Sequence, residues 1–254
     1  MYIDTHCHLS IEDYDDIDLV IKEDNIARVS PIIISGCTKS SIIESLDLVH
    51  KYNDLYATIG YHPSEVNDIY TDDINVLKKQ LLEEKIVGVG EIGLDYHYGK
   101  EDINLQKDLF KCQLKIAEEL NLPVVIHSRD ATMDTINILK EFPKVHGVIH
   151  CFSGSLETAR EYISMGYLLG IGGVVTFKNS NLPNVVKSIG LSNIVLETDS
   201  PYLTPSPYRG EKNSSKYIPI IAEKIADILN VPISEVEKIT TNNASSLFDF
   251  KRNL

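Results

Sequence analysis

Six positions in this chain carry side chains suited to binding divalent cations, and the way they are placed suggests a shared task. They are His6 and His8, Glu91, His127, His150 and Asp199. His6 and His8 stand two apart at the end of an apolar run. On an extended strand they point to one side while Cys7 points away. Glu91, His127, His150 and Asp199 each close a further short apolar run, in Gly-Glu91-Ile-Gly, His127-Ser-Arg129, His150-Cys-Phe and Glu197-Thr-Asp199-Ser-Pro. Six such groups meeting in a partly desolvated pocket would repel one another or strand their charges unless cations joined them. Histidine and carboxylate without thiolate suit Zn, Mn, Fe or Mg. Six ligands exceed what one tetrahedral ion uses, whereas a carboxylate can bridge two ions roughly 3.5–4 Å apart. The expected arrangement puts His6 and His8 on one ion, His127 and His150 on the other, and Glu91 between them. Asp199 would touch the first ion and a water acidified between the two, whose proton it could accept as general base. That is the chemistry of metal-dependent hydrolysis.

Residues so far apart in sequence need a fold that brings strand ends to one point. Eight short β-branched runs recur: Tyr2–His6, Val29–Gly36, Leu55–His62, Ile86–Glu91, Val124–His127, Gly147–His150, Tyr167–Gly172 and Ile194–Asp199. Successive ends lie 22 to 36 residues apart, room for one helix and two turns each. The intervening segments show helical stripes: Leu105, Leu109, Cys112, Ile116 and Leu120; Ile42, Leu46 and Val49; Ile221, Ile225 and Ile228. Ser234 and Glu237 read as a capping box before a last helix. Nearly continuous apolar strands alternating with helices imply a parallel sheet buried on both faces. Eight such units predict a single (β/α)8 TIM-type barrel over residues 1–254, with an open doubly wound sheet as the structural alternative.

Composition narrows the partners. The chain has 254 residues, 43% hydrophobic and 24% charged, with a formal net charge of −13. That excess of acid argues against coating long nucleic acid or lying on an anionic membrane, yet leaves room for a nucleic-acid end held at one metal site. No signal peptide and no apolar run of transmembrane length is visible. Cys7, Cys37, Cys112 and Cys151 form no C-x-x-C, which suits reduced thiols and a cytoplasmic location. Gly88, Gly90 and Gly93 satisfy a G-x-G-x-x-G pattern, but the polar, tyrosine-rich stretch Leu94–Gly99 follows where a dinucleotide site would open a helix.

The pieces T-H-C-H at 5–8, G-x-H-P at 60–63, G-E-I-G-L-D-Y at 90–96, H-S-R at 127–129, H-C-F-S-G at 150–154 and E-T-D-S-P-Y-L at 197–203 together resemble the TatD family of metal-dependent deoxyribonucleases. The resemblance implies a barrel of the amidohydrolase superfamily. It also implies Mg- or Mn-dependent phosphodiester hydrolysis, often trimming single-stranded or frayed DNA from the 3′ end. The ligands it implies are His6, His8, Glu91, His127, His150 and Asp199, and two divalent ions are expected, with Zn a further option. No membrane partner is expected.

Further candidates flank this set. Glu197 and Asp4, each two residues before a ligand, read as buried carboxylates that hold it in place, with binding of an additional cation as the alternative. Arg129, two beyond His127, should face the mouth and could clamp a phosphate. His62, beside Pro63, either reaches substrate or structures its own turn. The loop 201–215 holds Tyr202, Tyr208, Arg209 and Lys212, of which Tyr202 and Arg209 are the expected substrate contacts, the tyrosine as a base platform. His50, His97 and His146 lack strand-end positions and read as solvent-facing or structural. The alternative function is hydrolysis of an amide, ester or lactone, including aminoacyl-tRNA deacylation. Barrels of that kind often bridge their metals with a modified lysine where this chain has Glu91. A metal-stabilised scaffold would account for the histidines but not for an acid and an arginine at the same mouth.

Overall fold

In the computed structural model, which describes residues 1–97, 99 and 102–251, strands and helices alternate along the chain. The order is β1 (Tyr2–Cys7), α1 (Ile17–Ile26), β2 (Val29–Gly36), α2 (Lys39–Lys51), β3 (Leu55–Ile59), α3 (Thr71–Gln80), β4 (Ile86–Asp95), α4 (Ile103–Leu120), β5 (Val124–Arg129) and α5 (Thr132–Glu141). There follow β6 (Gly147–Ile149), α6 (Leu156–Ser164), β7 (Leu168–Ile171), α7 (Leu182–Ile189), β8 (Ile194–Leu196), α8 (Ile218–Leu229) and α9 (Ile233–Leu247). Each strand pairs in parallel with the next in chain order. The two ends of this sheet are joined by backbone bonds, Asp199 N–H to the His6 carbonyl (3.0 Å) and His8 N–H to the Ser200 carbonyl (2.7 Å). Buried Asp4 strengthens the seam by accepting from the Thr198 amide (3.1 Å), the Thr198 hydroxyl (2.6 Å) and the Ser215 hydroxyl (2.7 Å). The result is a TIM-type (β/α)8 barrel.

Alternation along each strand sorts the apolar residues into two layers. Outward side chains such as Ile34, Ala57, Val89 and Val124 pack under the helices. Inward ones, Ile3, Ile33, Val87, Val125, Val148 and Val195, fill the barrel floor together with Phe248 from the end of α9. Phe248 is fully buried, so Phe248→Ala opens a cavity there that the surrounding strands cannot close. The expected loss is about 3–5 kcal/mol in urea unfolding, with no change in metal stoichiometry. No helix among the described residues is long and apolar enough to cross a membrane.

Three sequence expectations change. The buried face of α4 runs through Gln106, Phe110, Gln113, Leu114, Ile116 and Ala117; of the expected stripe Ile116 is buried and Leu109 and Leu120 are half-buried, while Leu105 and Cys112 are exposed. The glutamines displace the apolar stripe because they take up buried backbone groups. Gln106 accepts from the Asp95 amide and donates to its carbonyl (both 2.9 Å), and Gln113 does the same for Tyr61 (2.7 and 3.0 Å). Ser234 and Glu237 form no capping box. α9 begins at Ile233 behind Pro232, and Glu237 instead pairs with the Met1 amine (2.6 Å) and Arg28 (3.1 Å). β4 runs on through Leu94 and Asp95, so the loop expected at Leu94–Gly99 starts later. Residue 98 of that stretch lies outside the described residues. The strand also confirms that the glycines at 88, 90 and 93 form no phosphate-binding turn.

Candidate metal centre

The candidate ligands gather at the C-terminal mouth from positions within or just past their strands. Glu91 and His127 lie within β4 and β5, His6 within β1, and His8 and His150 one residue beyond β1 and β6. Asp199 lies three residues past β8, in the left-handed region (φ 54°) that Asp tolerates better than most residues. That turn carries its carboxylate back over β1.

The buried carboxylate of Glu91 divides the cluster. Its Oε2 lies 3.6 Å from His6 Nε2 and 3.8 Å from His8 Nε2. Asp199 Oδ1 completes that half, 3.7 Å from His6 Nε2 and 3.6 Å from His8 Nε2. Glu91 Oε1 faces the other half, 2.8 Å from His127 Nδ1 and 3.0 Å from His150 Nε2. Neither ring nitrogen of buried His6 has a hydrogen-bond partner. Most buried polar atoms find partners, and an imidazole left with neither nitrogen met beside Glu91 and Asp199 suits a cation ligand. The donor set of four imidazoles and two carboxylates fits divalent cations: ligand atoms of His6, His8 and Glu91, of Glu91, His127 and His150, and of His6, His150 and Asp199 lie within 4.8 Å of one another.

Electrostatics agree with a site built for cations. Burial disfavours ionisation of Glu91, but His150 and His127 outweigh it and hold the carboxyl well below the usual range. Burial likewise disfavours charge on His150, yet Glu91 and Glu197 hold it well above the ordinary imidazole value. His127 is raised against its burial by Asp95 and Glu91. Without metal, therefore, protons stand where cations would bind. Raised histidines stabilise the metal-free protein at low pH and lose that contribution as pH rises through their elevated values. Ions must displace those protons, so apparent metal affinity should climb from pH 6 to pH 8. Calorimetry in buffers of different ionisation heat should show net proton release on metal binding at pH 7.

Around this core the expected secondary residues divide. Glu197 is fully buried behind His150, with Oε1 3.6 Å from Nδ1 and accepting the Cys151 amide. Gly170 makes this possible, since a Cβ there would overlap the Glu197 carboxyl. His62 structures its own turn, one of the two roles expected of it. Its Nδ1 accepts the Ser64 amide (3.1 Å) and caps the turn Pro63–Asp68, while Nε2 points at Glu91 Oε1 (3.8 Å). Burial lowers its pKa to about 4, so it is neutral at pH 7, and with Nδ1 accepting, the proton sits on Nε2. Arg129 and Tyr202 line the cavity, and the Tyr202 ring lies 6.2 Å from that of His8. Arg209 does not reach the cavity. Its guanidinium stacks on Phe177 (4.0 Å) and donates to the Thr204 carbonyl (3.2 Å), contacts that hold it away from the mouth. Tyr208 stacks on Tyr217 and Lys212 lies over Tyr14, so of the four loop candidates only Tyr202 faces the site. His50 is at the surface beside Glu83, and His146 is exposed.

Sequence reasoning passed over Asp95, whose Oδ2 lies 3.1 Å from His127 Nε2. The signal was present: 91, 93 and 95 share one face of a strand. It also passed over the wall of the mouth, a cavity of about 1050 Å³ lined by hydroxyls of Ser10, Thr38, Ser40, Ser41 and Ser64 and by acids Glu12, Asp13 and Glu44.

Comparison with known proteins agrees with this geometry. The family described as TatD related DNase matches residues 3–249. A metal-dependent hydrolase of Bacillus subtilis, YabD, is 42% identical over 252 residues, covering 98% of this chain and 99% of its own length. Escherichia coli YcfH, also described as a metal-dependent hydrolase, is 35% identical, covering 97% and 95%. Among solved structures, the TatD homologue YjjV of Escherichia coli superposes with a TM-score of 0.90 at 30% identity, covering 98% of each chain. A fold of eight parallel strands with a histidine–carboxylate cluster at its mouth defines a metal-dependent hydrolase. This chain belongs to the TatD-related DNase family.

Proposed function

We propose that the protein hydrolyses phosphodiester bonds at the ends of DNA, trimming single strands or frayed 3′ ends, with two divalent ions held on either side of Glu91. The observation that carries this reading is the division of Glu91, one oxygen toward His6, His8 and Asp199 and the other toward His127 and His150. Mg or Mn suits the carboxylate share of the site, and Zn suits its imidazoles. Bound ions would offset phosphate charge and acidify a water. Asp199, at the open edge of the cluster, would accept a proton from an attacking water as general base. His62 presents a neutral N–H to a phosphate oxygen, and Arg129 adds a planar cation. Tyr202, 60% exposed beside His8, offers a base a stacking face worth about 1–3 kcal/mol. The acidic surface suits gripping one strand end and not coating a duplex. We place this activity in the cytoplasm, where four free cysteines would persist reduced.

The test is a single-stranded DNA oligomer labelled at its 5′ end, incubated with Mg, Mn, Zn or EDTA. The expected result is a metal-dependent ladder shortening from the 3′ end. Lactone, carboxylic ester and aminoacyl-tRNA run in parallel; turnover of one of these with DNA left intact would replace the phosphodiester reading by the ester one.

A further inference from the structure

His127 is held from both sides. Nδ1 faces Glu91 Oε1 at 2.8 Å, and Nε2 faces Asp95 Oδ2 at 3.1 Å. Asp95 is itself fixed. Its other oxygen accepts the His97 amide (2.9 Å), and its backbone N–H and carbonyl are both taken by the Gln106 side chain. Between the two acids, Gly93 adopts φ +146°, and any side chain there would run into the His127 carbonyl, so the close register of β4 against β5 requires glycine. Three structural features thus converge on the placement of one carboxylate behind one imidazole.

We propose that Asp95 is a positioning residue that locks His127 with its proton on Nε2, so that the Nδ1 lone pair is presented beside Glu91 Oε1 and His150 to the second ion. The inference rests on the metal-centre reading above. A carboxylate accepting from the far nitrogen of a metal-binding imidazole fixes its tautomer and ring orientation and raises its basicity, and loss of such a partner weakens metal binding about 10–100-fold. His62 and Asp95 also come close enough to His127 to suggest a third cation among them. The His62 lone pair, however, is committed to the Ser64 amide, which leaves Asp95 the hydrogen-bonding role.

The experiment is titration of the metal-free protein with Mn, free Mn being read by electron paramagnetic resonance, for wild type, Asp95→Ala and Asp95→Asn. Wild type should bind two equivalents. In Asp95→Ala one of the two steps should weaken about 10–100-fold while the other holds. Asp95→Asn, which keeps an acceptor oxygen without the charge, should fall between. In Zn-loaded wild type, nitrogen-15 spectra of the imidazole should place the His127 proton on Nε2, and that signature should be lost or broadened in Asp95→Ala. Unchanged binding, both steps weakening together with a fall in metal-free melting, or a third wild-type equivalent lost in the variant would each overturn the assignment. Failure of wild type to bind any ion would instead sink the metal-centre reading, and this proposal with it.

Discussion

Asp199→Asn is expected to lower turnover of a DNA phosphodiester about 10²–10⁴-fold, the usual contribution of a positioned general base, while the protein stays folded. The substitution keeps the shape of the side chain, and its Oδ1 can still lie near His6 and His8. What it loses is the ability to take a proton. Asp199 is the one carboxylate of the cluster on the open side, past the end of β8, whereas Glu91 is buried against five histidines. A base that must meet an incoming water belongs in the former position. The measurement is a single-turnover rate at saturating Mg or Mn, with circular dichroism and a metal titration as controls. A variant that binds both ions and cleaves near the wild-type rate would remove Asp199 from the mechanism.

Glu91→Ala should do more damage, because it acts on both halves of the site. Without metal, it leaves His127 and His150 without the carboxylate that holds them charged. Breaking a buried pair by removing one partner costs about 3–5 kcal/mol. The sign follows from the shifts: His127 and His150 are raised and Glu91 lowered, so the stabilisation is present at pH 6 and fades as pH rises through the histidine values. Urea unfolding of metal-free protein should therefore show the larger loss at pH 6 and a smaller one near pH 9. With metal, both clusters lose the oxygen they share. Activity should vanish and metal affinity should drop by more than about 100-fold, beyond what a supporting residue alone costs. Retained stability at pH 6 together with two tight metal equivalents would deny Glu91 its central place.

Much of this architecture can be read from the residues because each ligand ends a short β-branched run, and a parallel barrel gathers such ends at one face. The H-x-H at 6–8 is legible through strand alternation alone. Asp199 is legible by type and neighbourhood but not by direction, since a left-handed turn, and not the strand, aims it. Asp95 was hidden by the strand's unexpected length: with β4 ended at Glu91, the periodicity that places 95 above 91 had nothing to act on. Gln106 and Gln113 were hidden for a different reason. Hydrophobic periodicity scores a glutamine as surface, whereas here two of them enter the core to satisfy backbone that no ladder reaches. Arg209 shows the limit of loop reading. Its residue type suited a phosphate, but Phe177 and the Thr204 carbonyl, both contributed by tertiary structure, hold it elsewhere.

If Glu91 stands between two cations, an anomalous difference map from crystals grown with manganese will show it. Two peaks are expected, one beside Oε2 among His6, His8 and Asp199, the other beside Oε1 between His127 and His150. A single peak at saturating manganese, or peaks away from Glu91, would contradict that placement.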